Sequence, residues 1–172
     1  MLTLDGWQKL DRSLRNAAPA VTTLLLMLVS MVPLHLSGFG TIIPSISLMA
    51  SFYWAVYRPD LFGPLAAFLL GLVADTISGS PLGLNSLLNL VTYASVLSQR
   101  QLFLAHTFII LWWGYALVAV LAGIMGWIVH SIGTASWLSL EPALFQAIAG
   151  VALFPLVAWL YSRLQRSLGE AD

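Results

Sequence analysis

The sequence predicts an all-α polytopic membrane protein, a transmembrane bundle of six helices. Of the 172 residues, 59% are hydrophobic and only 8% are charged, and the mean hydropathy is +0.90. Asp, Glu, Lys and Arg are absent from three long stretches, 16–57, 101–140 and 142–162. Such stretches are typical of helices in lipid, because roughly 20 apolar residues span the hydrocarbon core of a bilayer.

The chain is expected to form a single transmembrane domain over residues 1–172. Residues 1–16 carry an apolar stripe at helical spacing, which predicts a cytoplasmic segment on the membrane surface, although a frayed polar tail fits the same residues. Proline stands in or just before the first turn of several predicted spans, where it is tolerated. The predicted spans are 17–35, 41–57, 61–78, 82–99, 104–130 and 142–162.

The basic residues predict the orientation of the chain in the membrane. With six spans, all seven lie on one side. They are Lys9, Arg12, Arg15, Arg58, Arg100, Arg163 and Arg166. Because Lys and Arg are retained in cytoplasmic loops, both termini are expected in the cytoplasm.

Composition and motifs argue against several classes of function. Seven basic and seven acidic residues cancel, so nothing suggests a nucleic-acid surface. Cysteine is absent, which excludes disulfides and thiolate metal sites. The sequence has no G-x-S-x-G, H-E-x-x-H or Walker motif, and its histidines do not pair at ligand spacing. No enzyme activity, metal or cofactor is therefore predicted.

The third predicted span has small residues at every fourth position. Gly63, Ala67 and Gly71 form this stripe, and Asp75 continues it. Small residues at this spacing allow another helix to approach closely, so the stripe should face protein. Asp75 then has two interpretations: a proton or ligand site, or a structural carboxylate that caps the turn at 77–83 or bonds to span four.

A tight turn is predicted after the third span. Gly79 stands where a helix favours a left-handed residue at its C-terminal end. Ser80 is expected to cap the next helix, with Pro81 in that helix's first turn. Spans three and four should therefore be antiparallel neighbours.

The fourth and fifth spans carry two further patterns. Asn85, Asn89 and Thr92 share one face of span four, which should point inward because polar groups in lipid need partners. This face could line a small-molecule cavity or hold helices together. In span five, small residues form a close-packing seam for an internal neighbour or for the single span of a partner. The seam includes Ala119, Gly123 and Gly126.

The last span contains Pro155, which should kink it because proline removes a backbone hydrogen bond.

Several of these motifs together are similar to one family of bacterial inner-membrane proteins. They are a proline-led second span with aromatic residues at 52–54, a Gly-x-x-x-Asp at Gly71 and Asp75, a Gly-x-x-x-Gly turn at Gly79 and Gly83, and the central Pro155 before a basic tail. This pattern resembles the rod shape-determining protein MreD family. The sequence departs from the family at Gln146 or Gly150, where some members carry Asn ahead of the proline.

The resemblance implies a non-enzymatic subunit of the cell-elongation machinery in the bacterial inner membrane. Such a subunit would anchor an MreC-like single-span scaffold protein and help to organise peptidoglycan synthesis and cell shape. Indirect partners would be the MreB filament, RodA and penicillin-binding protein 2. The implied fold is a six-helix bundle similar to the substrate-binding components of energy-coupling-factor vitamin transporters.

Two other functions remain open on the sequence. The first is a vitamin-binding component of an energy-coupling-factor transporter, a class that often has an Ala-x-x-x-Ala pair in span one. The alanines here, Ala17, Ala18 and Ala20, are not four apart. The second is a proton-linked carrier built on Asp75.

Overall fold

A computed structural model describes residues 18–30, 45–105, 107–134 and 140–169, and this part of the chain is helical apart from short turns. The predicted surface segment 1–16, the end of the first predicted span and the start of the second lie outside the described residues. The helices are α1 (Ala18–Ser30), α2 (Ile46–Tyr57), α3 (Pro64–Ser78), α4 (Leu84–Ser98), α5 (Arg100–Ala105), α6 (Phe108–Thr134) and α7 (Glu141–Gly169).

Two of these helices are long and apolar enough to cross a membrane. They are α6, with 27 residues, and α7, with 29. Three others, α1, α2 and α3, are apolar but shorter. The described part of the chain is thus an all-helical protein with two clear candidates for membrane spans.

The observed helix boundaries differ from the predicted span boundaries in the second half of the chain. The fifth span was expected from residue 104, but a short α5 ends at Ala105 and α6 begins at Phe108. The sequence signals this break poorly, because residues 101–140 contain neither a charge nor a proline. The last helix begins one residue before the predicted span 142–162 and continues beyond it to Gly169.

Helix α2 lies at the centre of the molecule. Every residue from Ser47 to Val56 is buried, and α2 contacts α3, α4, α5, α6 and α7. A helix that is apolar on all sides belongs in such a position. The ring of Phe52 meets three other rings edge to face, at centroid distances of 5.5–5.7 Å. These rings belong to Phe103, Tyr115 and Phe154, so one side chain of α2 joins α5, α6 and α7.

The contacts bring the basic residues of the described chain to one end of the molecule. Arg58 follows α2 directly, and Arg100 donates from Nε to the Val56 carbonyl at 2.6 Å. The C-terminal part of α7 reaches the same end, because Tyr53 donates to Oε1 of Gln165 at 3.3 Å. Arg166 is therefore close to the end of α2.

Candidate functional site

The candidate site lies where α3 ends and α4 begins, around the carboxylate of Asp75. The side chain is fully buried. Its Oδ2 accepts a hydrogen bond from the backbone amide of Gly83, and its Oδ1 accepts one from the amide of Asn85, both at 2.8 Å. The Ser86 hydroxyl lies 3.4 Å from Oδ2 and donates to it. Asp75 on α3 thus caps the N-terminus of α4.

This cap supplies what α4 lacks in its own sequence. The first amides of a helix have no partner within the helix, and a negative charge near them interacts favourably with the helix dipole. The N-cap residue of α4 is Gly83, which has no side chain to accept a hydrogen bond. A capping side chain is worth roughly 0.5–2 kcal/mol.

Two glycines with positive φ give the turn the shape that this cap requires. Gly79 has φ of 65° and Gly83 has φ of 100°, values that other residues rarely adopt. The backbone amides of Gly79 and Ser80 both donate to the Asp75 carbonyl. The predicted left-handed conformation of Gly79 is confirmed.

The prediction for the start of α4 was wrong. Ser80 does not cap the helix; its hydroxyl lies 2.9 Å from that of Ser78. Pro81 precedes the helix, which begins at Leu84. The Asp75 carboxylate occupies the capping position because the Gly79 and Gly83 conformations fold the turn back over the end of α3.

The helices α3 and α4 approach each other closely at Gly71. A Cβ atom at this position would overlap the Cα of Ser86, and it would lie only 2.6 Å from the Ser86 nitrogen and 2.8 Å from the Asn85 carbonyl oxygen. Real Cβ atoms do not approach backbone so closely, so the site admits only glycine. Ala67 is also fully buried. Gly63 differs, because a Cβ there would meet nothing within 4 Å.

The polar face of α4 contributes to the same helix contact. Asn89 is buried, and its Nδ2 donates to the Ala67 carbonyl at 3.4 Å. The side chain of Asn85 is half-buried, and its backbone amide binds Asp75. These contacts favour helix pairing over a ligand cavity on this face.

Ser86 is a further member of the site that was not predicted from the sequence. Its side chain is fully buried between Asp75 and Gly71. The signal was its spacing of three from Asn89, which puts both residues on one helical face.

The small residues of α6 also pack within the chain. A Cβ at Gly123 would lie 3.5 Å from the Ala143 carbonyl oxygen of α7 and 4.0 Å from the Ala147 Cβ. Ala119 is buried, whereas a Cβ at Gly126 would meet nothing within 4 Å. The seam was left open to an internal neighbour or a partner, and in the structure α7 covers its Gly123 portion.

The backbone carbonyl that Pro155 leaves without its usual donor has another hydrogen-bond donor, which the sequence did not predict. Helix α7 continues through this proline, which has no amide to donate to the carbonyl four residues earlier. That carbonyl belongs to Val151, and it accepts a hydrogen bond of 2.9 Å from Nε1 of Trp112 on α6. The indole of Trp112 thus replaces the missing backbone donor.

The buried side chains and the close-packed glycines described above serve contacts between helices of the chain. Within the described ranges, no group of three or more His, Cys, Asp or Glu residues could hold a metal ion. The Asp75 carboxylate is engaged by two backbone amides and a hydroxyl, and the Asn89 amide is engaged by a carbonyl. The arrangement therefore fixes the α3–α4 pair.

Comparison with known proteins assigns the chain to a family. A search of curated proteins and a search of solved structures each found no match. A comparison with protein-family models matches residues 12–166 to the family described as rod shape-determining protein MreD. The match extends over nearly the whole 172-residue chain; it includes α1 to α6 and all of α7 up to residue 166. The chain belongs to the rod shape-determining protein MreD family.

Proposed function

We propose that this protein is a non-enzymatic inner-membrane subunit of the bacterial cell-elongation machinery. It would anchor an MreC-like single-span scaffold protein and help to organise peptidoglycan synthesis around the MreB filament, RodA and penicillin-binding protein 2. The observation that carries this proposal is the family match over residues 12–166. The geometry supports a structural role, because the buried carboxylate of Asp75 is committed to the backbone of α4.

We further propose that the chain crosses the inner membrane six times, with both termini in the cytoplasm, as a bundle similar to the energy-coupling-factor components. Support comes from the positions of the helix ends. Arg58, Arg100 and Arg166 lie at one end of the molecule, as described above. Thr23 in the first half of α1 lies 3.1 Å from the Tyr161 hydroxyl in the C-terminal half of α7, so these two helix parts lie side by side.

Two small-residue faces are covered by other helices of this chain and are therefore not available to a scaffold protein. The Ala67 and Gly71 face of α3 is covered by α4, and the Gly123 face of α6 is covered by α7. The single span of a scaffold would therefore bind a different face. The two covered faces would hold the helices that form that face together.

Depletion of the protein in the bacterium that encodes it tests the proposal. Loss of the protein should turn elongated cells into round ones and should lower the incorporation of labelled peptidoglycan precursor along the cell wall. Re-expression of the wild-type chain should restore both. Depleted cells that keep their shape and their pattern of incorporation would overturn the proposal.

A further inference from the structure

A groove between α2, α6 and α7 lies at the end of the molecule that carries the arginines. Its volume is about 550 Å³. Tyr53 and Tyr57 line it from α2, Phe108 lines it from α6, and one face of α7 between Pro155 and Arg166 forms the remaining side. The groove does not include the Asp75 site or the small-residue faces, so the proposed function leaves it unexplained.

The lining changes from apolar to polar along α7. Pro155, Ala158 and Trp159 come first, and Ser162, Gln165 and Arg166 follow on the same face of the helix. At 1.5 Å per residue, Pro155 and Arg166 are about 16 Å apart along the axis. One leaflet of a bilayer contributes half of a hydrocarbon core of about 30 Å. The groove thus has the length of one lipid acyl chain, with its polar end at the depth of a headgroup.

Charge at the polar end favours an anionic headgroup. Arg166 forms no ion pair with any acidic side chain in the described part of the chain; its Nε donates to the Ser162 carbonyl at 3.3 Å. Arg163, one residue from Ser162, lies 5.0 Å from the ring of Trp159. Gln165 accepts from Tyr53 through Oε1, and its Nε2 group is a further donor. Basic pockets between helices at a cytoplasmic surface bind anionic lipid headgroups.

We propose that this groove binds an anionic glycerophospholipid of the cytoplasmic leaflet. One acyl chain lies along Pro155 and Trp159, and the phosphate binds the guanidinium of Arg166. The aromatic rings of Tyr53 and Tyr57 form the wall that faces α7. A bound lipid would fill the space between α2 and α7 at this end of the bundle.

Native mass spectrometry of the purified full-length protein tests this proposal. Phosphatidylglycerol and phosphatidylcholine of the same chain length are added separately, and the retained lipid is counted for each variant. The wild-type chain should retain phosphatidylglycerol in preference to phosphatidylcholine. Arg166→Gln should weaken phosphatidylglycerol binding roughly fivefold, the effect of one arginine near an anionic lipid. Arg166→Lys should keep most of the preference because it keeps the charge.

Arg58→Gln is the matched control, since it removes one charge at the same end of the molecule but outside the groove. It should bind phosphatidylglycerol like the wild type. Helix content by circular dichroism shows whether each variant is folded. The proposal is overturned if the wild type retains both lipids equally, retains neither, or loses phosphatidylglycerol to millimolar inorganic phosphate. It is also overturned if folded Arg166→Gln binds phosphatidylglycerol as tightly as the wild type does.

Discussion

The carboxylate of Asp75 accepts a 2.8 Å hydrogen bond from the backbone amide of Gly83, and this bond ties the end of α3 to the start of α4. The same carboxylate holds the amide of Asn85, while Gly71 lies one helical turn back against the backbone of Ser86. The cap and the close approach depend on each other, because a wider helix spacing would move both amides away from the carboxylate. The α3–α4 pair is thus one packed unit.

Replacing Asp75 by Ala should lower the free energy of unfolding by about 1–3 kcal/mol, because two helix amides lose their buried acceptor. The matched control is Asp60→Ala, since the side chain of Asp60 is 59% exposed and forms a surface ion pair with Arg58. Its cost should stay within about 1 kcal/mol. Unfolding of the detergent-purified variants, followed by circular dichroism, measures both. Equal stability of the two variants would remove Asp75 from its capping role.

The same change, glycine to alanine, should have opposite effects at two positions. Gly71→Ala should destabilise by about 1–3 kcal/mol, because the new methyl group overlaps backbone atoms of Ser86 that cannot move aside. Gly126→Ala meets nothing within 4 Å and should be neutral or stabilising by up to about 1 kcal/mol. Thermal unfolding of both variants and the wild type in one detergent measures the two changes in stability. A tolerated Gly71→Ala would show that the two helices are not in close contact.

The indole of Trp112 should contribute less to the free energy of unfolding when Pro155 is replaced by alanine. Trp112→Phe leaves the Val151 carbonyl without its donor and should cost about 1 kcal/mol. In a Pro155→Ala background the amide of residue 155 can bond to that carbonyl again, so the cost of Trp112→Phe should shrink by about 0.5–1 kcal/mol. Trp113→Phe, at a side chain that is 68% exposed, is the control and should show no such coupling. Additive effects of Trp112→Phe and Pro155→Ala would contradict the account.

The proposed orientation can be tested with single cysteines, because the natural chain has none. Ser78 and Ser98 are both exposed, at opposite ends of the α3–α4 pair. In spheroplasts, a membrane-impermeant maleimide should label Ser78→Cys at once. It should label Ser98→Cys only after the membrane is permeabilised, because Ser98 precedes Arg100 at the basic end. Labelling in the reverse order would show that the chain has the opposite orientation.

Local sequence patterns predicted the close-packed face of α3 and its left-handed end. They left the capping of α4 open and did not predict the bond from Trp112. The spacing of Ala67, Gly71 and Asp75 predicted a close-packed face, and Gly79 predicted the left-handed end of α3, because helical periodicity and turn conformation are local properties. The capping of α4 by Asp75 was one of two interpretations, since the choice depends on how the turn folds back. The bond from Trp112 to Val151 joins residues 39 positions apart, and no local pattern encodes it.

The observed helix ends do not all coincide with the predicted span boundaries. An uncharged stretch such as 101–140 contains no signal for where one helix stops, so the break between α5 and α6 went unpredicted. Tertiary contacts hold α5 in its place: Phe103 of α5 packs on Phe52 of α2, and a Cβ at Gly114 of α6 would overlap the Phe103 ring. Contacts of this kind depend on the whole fold.

Affinity purification of the tagged full-length chain in mild detergent, with mass spectrometry of what accompanies it, tests the assignment to the elongation machinery most directly. The account predicts a single-span scaffold protein as the principal partner, in similar amounts for the wild type and for the Asp60→Ala control. A pair of ATPases together with a bound vitamin would contradict it and would make the chain a transporter component.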